Sequence, residues 1–184
     1  ARAKEITAIK ESYNVAEPPA SWPSEGKIEF IDVSMSYRDG PLILKNVSCV
    51  IEPTQKVGIC GRTGSGKSSM LVALFRVEDL KTGKILIDGI DIATVPVKTL
   101  RSRVAIVPQD PVMFSATMRY NIDPHGTFSD ADIWEALSTV ALKETVQAMP
   151  GGLDAPVAEG GSNLSVGQRQ LVCFTRALLR KPKV

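Results

Sequence analysis

The sequence lacks the two features that would assign it to a membrane or to nucleic acid. No run of 18 apolar residues occurs among its 184 residues, so we expect no transmembrane helix in it. No block of like charge occurs either, because 22 basic residues are offset by 20 acidic ones and the net charge is +2. This balance argues against a surface that binds nucleic acid.

Cysteine and histidine are also scarce. The three cysteines, Cys49, Cys60 and Cys173, lie far apart and show none of the spacings typical of zinc sites or disulfide frameworks. We therefore predict that each is a small core residue in a reducing, cytosolic environment. The single histidine, His125, lies in the stretch DPHGTF and is expected at the surface.

Composition separates the start of the chain from the rest. The first 26 residues contain Pro18, Pro19 and Pro23 with polar residues between them, which is typical of a semi-rigid linker rather than a core element. The remaining residues are numerous enough for one folded domain. We therefore expect an excerpt from a longer protein, in which residues 1–26 connect an upstream region to that domain.

Hydrophobic patterning predicts several strands after this linker. KIEFIDVSMSY alternates apolar and polar residues, and GKILIDG ends in an Asp-Gly pair that is typical of a hairpin turn. The short apolar segments QKVGIC and VAIVPQ are expected to be buried strands. The predicted strands lie at 27–37, 42–51, 55–60, 83–89 and 104–109.

Three helices are predicted from apolar residues at helical spacing and from capping residues. The first covers residues 68–76, with Leu71, Leu74 and Phe75 on one face. The second begins at Ser129 or Asp130, and the third extends from about Ser165 to Arg180.

A glycine-rich loop, GRTGSGKS at residues 61–68, lies between a predicted strand and a predicted helix. It fits the pattern G-x-x-x-x-G-K-[ST], in which glycines let backbone N–H groups approach phosphate oxygens and the helix N-terminus attracts anions. Lys67 supplies a positive charge for the β- and γ-phosphates, and Ser68 can bind Mg²⁺. The predicted phosphate-binding residues are Gly61, Arg62, Thr63, Gly64, Ser65, Gly66, Lys67, Ser68 and Ser69.

A second anion-binding feature is the sequence LSVGQ at residues 164–168. Ser165 is suited to cap the helix that begins there, and the free N–H groups of the first turn form an anion site. Two such helix N-termini suggest that one holds a nucleotide while the other closes over a nucleotide held by a partner. An ordinary capped helix is the alternative if the motif is taken alone.

With both motifs present, the chain resembles the nucleotide-binding domain of an ATP-binding cassette (ABC) transporter from about Lys27 to Val184. GRTGSGKSS is similar to the Walker A loop of that family, LSVGQ to its signature, and VAIVPQDPVMFSATMRYNI to its Q-loop region. The resemblance implies an α/β P-loop NTPase core with an antiparallel β subdomain near the start. It also implies a helical subdomain between Gln109 and Ser165.

The resemblance also implies roles for single residues. Tyr37, which lies 24 positions before Gly61, would stack on adenine, and Gln109 would contact Mg²⁺ and the attacking water. Mg²⁺ would therefore be held by Ser68 and Gln109. The signature residues that close on the partner's ATP would be Ser165, Val166, Gly167 and Gln168.

The implied partners are a second nucleotide-binding domain, paired head to tail, and the transmembrane domains of the same transporter. Residues 1–26 resemble the connector that leads into the second cassette of the multidrug-resistance-associated (C) subfamily, and residues 27–184 would be a partial nucleotide-binding domain. The domain would couple binding and hydrolysis of Mg-ATP to export at the cytosolic face of a membrane. The alternatives are a regulatory ATP-binding module that gates a channel or receptor, and a soluble ABC ATPase.

Two departures from the family pattern modify these expectations. Val166 stands where the usual signature has glycine, so the nucleotide under Ser165 is expected to be held but cut slowly, while the one held by Lys67 is hydrolysed. The resemblance also implies an Asp, a Glu and a switch His after the signature helix, but the sequence stops at RKPKV, and its single histidine, His125, precedes the signature. We therefore expect these 184 residues alone to bind ATP without turnover, and to be poorly soluble because a strand edge lacks its neighbour.

Overall fold

The computed structural model describes residues 16–184, so residues 1–15 of the predicted linker lie outside the described part of the chain. The described chain divides into two compact units, one of residues 16–104 with Lys183–Val184 and the other of Ala105–Pro182. In its described part the first unit contains a β-sheet with two α-helices, and the second unit is helical.

The first unit is built on a four-stranded antiparallel sheet with the strand order β2-β1-β3-β4. The strands are β1 (Ile28–Ser36), β2 (Leu42–Ile51), β3 (Thr82–Ile87) and β4 (Ile90–Asp91). They confirm the strands predicted at 27–37, 42–51 and 83–89. They also confirm the antiparallel β subdomain expected near the start of the chain.

A β-bulge at Asp32 explains the apolar pattern of β1. Asp32 has a φ of 47°, and the pairing of β1 with β2 shifts register between Phe30 and Val33. The extra residue lets apolar side chains on both sides of the bulge face the core. On the neighbouring strand, Gly83 has a φ of 81°, and a Cβ there would lie 2.4 Å from the carbonyl oxygens of Ile31 and Asp32. Only glycine fits this close approach.

The turn between β3 and β4 fixes the segment that precedes the sheet. Asp88 and Gly89 have φ values of 48° and 76°, as a two-residue hairpin turn requires. The Asp88 carboxylate accepts hydrogen bonds from the four backbone N–H groups of residues 24–27, at 2.7, 3.0, 3.2 and 2.8 Å. Partial burial raises the pKa of Asp88, but these four donors together outweigh it, and the net pKa lies below its usual value.

Replacing Asp88 with asparagine is expected to destabilise the fold at neutral pH but not at low pH. The ionised carboxylate has a lower pKa in the folded state than in the unfolded state, so its stabilisation is present above the unfolded value of about 3.9. It is lost as the pH falls through the folded value. Urea unfolding of the two proteins between pH 7 and pH 2 measures this. A difference in stability that is equal at both ends of the range would contradict the assignment.

Trp22 anchors the same segment in the core of the first unit. Its side chain is 4% exposed, and its Nε1–H donates to the Ile87 carbonyl at 2.8 Å. Further upstream, the Ala16 N–H donates to the Thr94 carbonyl at 2.9 Å. The expectation that no residue before 27 is a core element is therefore wrong for Trp22. The linker boundary at residue 26 stays a prediction.

Two helices belong to the first unit, α1 (Lys67–Leu74) and α2 (Val97–Arg103), with a short 3-10 helix at Ile92–Thr94 between them. Helix α1 confirms the helix predicted at 68–76. Leu74 and Phe75 are buried as expected, but Leu71 is exposed and does not share their face.

The two predicted buried strands at 55–60 and 104–109 are wrong. Both segments are irregular, and Val57, Ile59 and Ile106 are exposed. A buried strand needs hydrogen-bonded neighbours, and among the described residues no named strand pairs with either segment. Apolar, β-rich composition alone therefore did not decide their structure.

The irregular segment 55–60 explains why the prediction for one of the three cysteines, Cys60, is wrong. Cys49 is half-buried against the core of the first unit, and Cys173 is buried in the core of the second. Cys60 is exposed, because it ends the irregular segment 55–60 instead of lying in a sheet.

The second unit is helical, as expected between Gln109 and Ser165 and beyond. Its helices are α3 (Met118–Ile122), α4 (Asp130–Thr139), α5 (Lys143–Ala148) and α6 (Val166–Leu179), with 3-10 turns at Gly152–Asp154 and Glu159–Gly161. Ser129, one of the two predicted starts of this helix, caps α4, and it forms a capping box with Asp132 that was not predicted. His125 is exposed, also as predicted. No helix in the described residues is long and apolar enough to cross a membrane.

Candidate functional site

Residues 61–65 of the glycine-rich loop are exposed, and the loop leads directly into helix α1. Its first glycine lies close to Ser65, because a Cβ on Gly61 would lie 2.6 Å from Ser65 Oγ and that hydroxyl would have to move. Its last glycine, Gly66, is the N-cap of α1 with a φ of 90°, in the left-handed region that favours glycine. A Cβ on Gly66 would lie 3.3 Å from Leu44 of β2. The loop is therefore closed on itself and seated against the sheet.

The side chain of Lys67 crosses its own loop. Its ammonium group donates to the carbonyl oxygens of Gly61 at 2.7 Å and Arg62 at 2.8 Å. This fold-back places a positive charge beside the start of the loop, although Lys67 itself is the first residue of α1. An anion that reaches the loop meets this charge.

The N-terminus of α1 adds to this positive field. The first backbone N–H groups of a helix have no acceptor within the helix, and the helix dipole makes this end positive. The first turn of α1 contains no acidic residue, and Gly66 provides no side-chain cap. Ser68 is exposed in this turn, whereas Ser69 is buried. The N-terminus is therefore open to an external anion.

Tyr37 lies beside the same helix. It follows directly after β1, its side chain is 42% exposed, and its hydroxyl lies 3.0 Å from Ser69 Oγ. The structure thus brings the aromatic residue and the glycine-rich loop together in the first unit. The sequence had suggested this proximity only through the family resemblance, and it had not suggested the hydrogen bond.

The LSVGQ residues begin helix α6 of the second unit. Ser165 is the N-cap, its Oγ accepts from the Gln168 N–H at 3.1 Å, and Gln168 Oε1 accepts from the Ser165 N–H at 2.8 Å. This is the reciprocal capping box. Val166 is 58% exposed, and Gly167 is exposed as well. This geometry is therefore compatible with both interpretations of LSVGQ, the ordinary capped helix and the anion site.

Two side chains that sequence reasoning missed hold the loop before α6. Arg169 donates to the carbonyls of Gly161 at 3.1 Å and Leu164 at 2.8 Å. Asn163 Nδ2 donates to the carbonyl of Pro156 at 2.9 Å, and Asn163 Oδ1 accepts from the backbone N–H of Ala158 at 3.0 Å. Their position beside LSVGQ was the available signal, but a sequence does not reveal which carbonyls a side chain reaches.

Gln109 is exposed in an irregular stretch of the second unit. The residues that follow it are fixed by Asn121, which is fully buried in α3. Its Nδ2 donates to the carbonyls of Phe114 at 2.9 Å and Thr117 at 3.0 Å, and its Oδ1 accepts from the Phe114 N–H at 2.8 Å. Asn121 therefore satisfies the backbone of an otherwise irregular segment.

Arg176 connects this segment to helix α6. Its guanidinium donates to the carbonyl and Oδ1 of Asn121 and, at 2.8 Å, to the carbonyl of Val112. It also lies 5.7 Å from the centre of the Phe114 ring, within the range of a cation–π contact. Burial lowers the pKa of Arg176, and the nearby Cys173 opposes this shift. Sequence reasoning missed this arginine, since nothing in RQLVCFTRALLR marks it.

The predicted site residues thus form two groups. The first unit contains Tyr37 and residues 61–69, which include Lys67. Gln109 and residues 165–168 belong to the second unit.

The sequence matches known proteins over most of its length. A family profile described as ABC transporter matches residues 44–184. The chain is 54% identical over 168 residues to "ATP-binding cassette sub-family C member 8" of Rattus norvegicus, which covers 90% of this chain. It is 52% identical over 167 residues to "ATP-binding cassette sub-family C member 3" of Mus musculus, again over 90% of this chain. The chain spans 11% of the length of each of these relatives.

The fold matches a solved transporter structure. "Structure of a bacterial Atm1-family ABC exporter with ATP bound" superimposes with a TM-score of 0.83 at 34% identity, covering 98% of this chain and 32% of that chain. This likeness confirms the predicted P-loop NTPase fold with its antiparallel β subdomain. With the family profile covering residues 44–184, it shows that this chain belongs to the ABC transporter family.

Proposed function

We propose that this chain is an ATP-binding cassette of a membrane exporter and that it holds ATP at the glycine-rich loop. The observation that carries the proposal is the Lys67 ammonium beside the loop carbonyls, at the open N-terminus of α1. The triphosphate is bound by residues 61–69, and the adenine ring stacks on the half-exposed Tyr37. The matching bacterial exporter has ATP bound, which supports the same ligand for this chain.

The residues of the site also fit Mg²⁺. Ser68 presents an exposed hydroxyl in the first turn of α1. Mg²⁺ binds such oxygen ligands together with phosphate oxygens and water, which suits a site with few protein ligands. When bound, the ion neutralises charge on the β- and γ-phosphates.

The LSVGQ residues supply the second half of the proposal. The Ser165 hydroxyl accepts from the Gln168 N–H and keeps its own hydrogen for an external acceptor. We propose that Ser165, Gly167 and Gln168 close over ATP held by a second nucleotide-binding domain, paired head to tail. The exposed Val166 adds bulk at this contact, so the nucleotide there is held and cut slowly.

The parent protein then couples closure of the two domains to transport. We propose that transmembrane domains of the same transporter bind this cassette at the cytosolic face of a membrane, and that residues 1–26 connect it to one of them. Hydrolysis belongs to the parent protein. The relatives are named as ATP-binding cassette proteins of sub-family C, which supports the cassette assignment of this domain.

Replacing Lys67 with alanine is expected to weaken ATP binding by about 10-fold to 100-fold, which corresponds to the loss of a charge-assisted contact of about 1.5–3 kcal/mol. Titration calorimetry with Mg-ATP on the 184-residue chain measures the dissociation constant. Lys84→Ala is the matched control, because Lys84 is an exposed lysine of β3 outside the loop. Equal affinities of Lys67→Ala and Lys84→Ala for ATP would contradict the proposed site.

A further inference from the structure

We propose that a cavity in the second unit, between helix α4 and the end of helix α6, binds a small zwitterionic amphiphile. Such a molecule carries an ammonium group and an anionic group on a short apolar body. The proposal goes beyond ATP binding and does not rest on the proposed ATP site, because every residue that lines the cavity belongs to the second unit.

The first observation is the size of the cavity and its apolar floor. Its volume is about 400 Å³, which lies within the range of sites that bind small molecules. Phe128, Ala136 and Leu179 line it. Ala136 and Leu179 are buried in the core of the second unit, and the half-buried Phe128 packs against that core. An apolar body that enters the cavity leaves water for these side chains, which favours binding.

The second observation is the acidic side of the cavity. Asp132 and Glu135 line it from α4, and their spacing of three positions places them on one helix face. Hydrogen bonds from the hydroxyl and the backbone N–H of Ser129, together with the charge of Lys181, hold the pKa of Asp132 below its usual value. The Glu135 carboxylate forms no hydrogen bond or ion pair with any residue from 16 to 184.

These two carboxylates attract an ammonium group. A cation held beside them shares the cavity with the aromatic ring of Phe128, to which ammonium groups are also attracted. The acidic side therefore favours the cationic end of a ligand.

The third observation is the basic side of the same cavity. Arg180 and Lys181 line it from the end of α6, and both are exposed. Within the described part of the chain, neither side chain has a hydrogen-bond or ion-pair partner. A ligand with one sign of charge is attracted by one side and repelled by the other, whereas a zwitterion complements both.

The test compares four compounds by nuclear magnetic resonance titration of the 184-residue chain. Hexylphosphocholine has all three parts, hexyl phosphate lacks the ammonium group, hexyltrimethylammonium lacks the anion, and glycerophosphocholine lacks the apolar chain. We expect hexylphosphocholine to bind most tightly. Each singly charged hexyl compound should bind about 2-fold to 5-fold more weakly, as the loss of a solvent-accessible ion pair predicts. Glycerophosphocholine should bind about 10-fold more weakly or worse.

Variants of the two charged sides assign the binding to this cavity. Glu135→Gln and Arg180→Gln should each weaken hexylphosphocholine about 2-fold to 5-fold. The matched controls Glu144→Gln on α5 and Arg103→Gln on α2 change exposed residues outside the cavity and should leave its affinity unchanged. The charge-reversed variant Glu135→Lys should bind hexyl phosphate more tightly than the unaltered chain does. A misfolded variant would not show this gain.

Phosphatidylcholine vesicles are a second source of the same chemistry. A lipid packed in a bilayer does not place its acyl chains in a cavity of this size, so we expect no co-sedimentation of the chain with the vesicles. Co-sedimentation that Glu135→Gln abolishes would overturn the assignment to a free molecule.

Three results of the titrations would also overturn the proposal. In the first, hexyl phosphate or hexyltrimethylammonium binds as tightly as hexylphosphocholine, so that the site does not select a zwitterion. In the second, Glu135→Gln and Glu144→Gln have equal effects, so that the compound binds elsewhere. In the third, none of the four compounds binds.

Discussion

Replacing Trp22 with alanine should lower the free energy of unfolding of the first unit by about 3–5 kcal/mol, the range for a large aromatic residue in a core. Trp22 is 4% exposed among the core residues of this unit. Its removal also leaves the Ile87 carbonyl without the indole N–H that donates to it at 2.8 Å. Urea unfolding followed by circular dichroism measures the loss.

Trp22→Phe is the matched control, because it retains most of the buried ring and removes only the N–H donor. We expect it to cost about 1–2 kcal/mol. If Trp22→Ala lowers the free energy of unfolding by less than the about 1–2 kcal/mol expected for Trp22→Phe, the segment before residue 27 behaves as the linker that its prolines suggested. A loss in the predicted range shows that the folded unit begins at or before Trp22.

Replacing Arg176 with alanine should destabilise the second unit by about 3 kcal/mol, since hydrogen bonds to charged groups each contribute about 1.5–3 kcal/mol. Its guanidinium donates to the carbonyls of Asn121 and Val112 and to the Asn121 side chain. Without it, carbonyl oxygens that it satisfies must find other donors. The segment after Gln109 should loosen as a result. Unfolding experiments and hydrogen exchange of the Phe114 amide, which donates to Asn121 Oδ1, measure both effects.

The control is Arg180→Ala, because Arg180 is an exposed arginine at the end of the same helix. Its loss should change the free energy of unfolding by less than about 0.5 kcal/mol. Arg176→Lys keeps the charge but not the planar fork of donors, so we expect it to recover only part of the stability. Equal effects of Arg176→Ala and Arg180→Ala would show that the buried contacts of Arg176 contribute nothing.

Local sequence was sufficient wherever the deciding interactions are close in sequence. The glycine-rich loop, the Asp88-Gly89 hairpin and the N-cap at Ser165 were all predicted, because each depends on backbone angles or hydrogen bonds within a few residues. The alternation in β1 was also visible, although the sequence did not show the bulge at Asp32 that shifts it.

Predictions failed where a distant partner decides the structure. QKVGIC and VAIVPQ are apolar and rich in β-formers, yet both are irregular because no named strand of the described chain pairs with them. Cys60 is exposed for the same reason. The error at Trp22 was the reverse, because its proline-rich context suggested a linker whereas its side chain is buried in the core.

The amino-acid sequence by itself determined the phosphate-binding loop, the LSVGQ helix start and the family to which they point, because these features depend on residue types at short, fixed spacings. Only the tertiary structure decided that Ser69 bonds Tyr37, that Arg176 fixes the segment after Gln109, and that Asp88 holds residues 24–27. Each of these contacts joins residues between 32 and 64 positions apart. Their formation depends on how the sheet and helices bring distant backbone groups together, which no local pattern records.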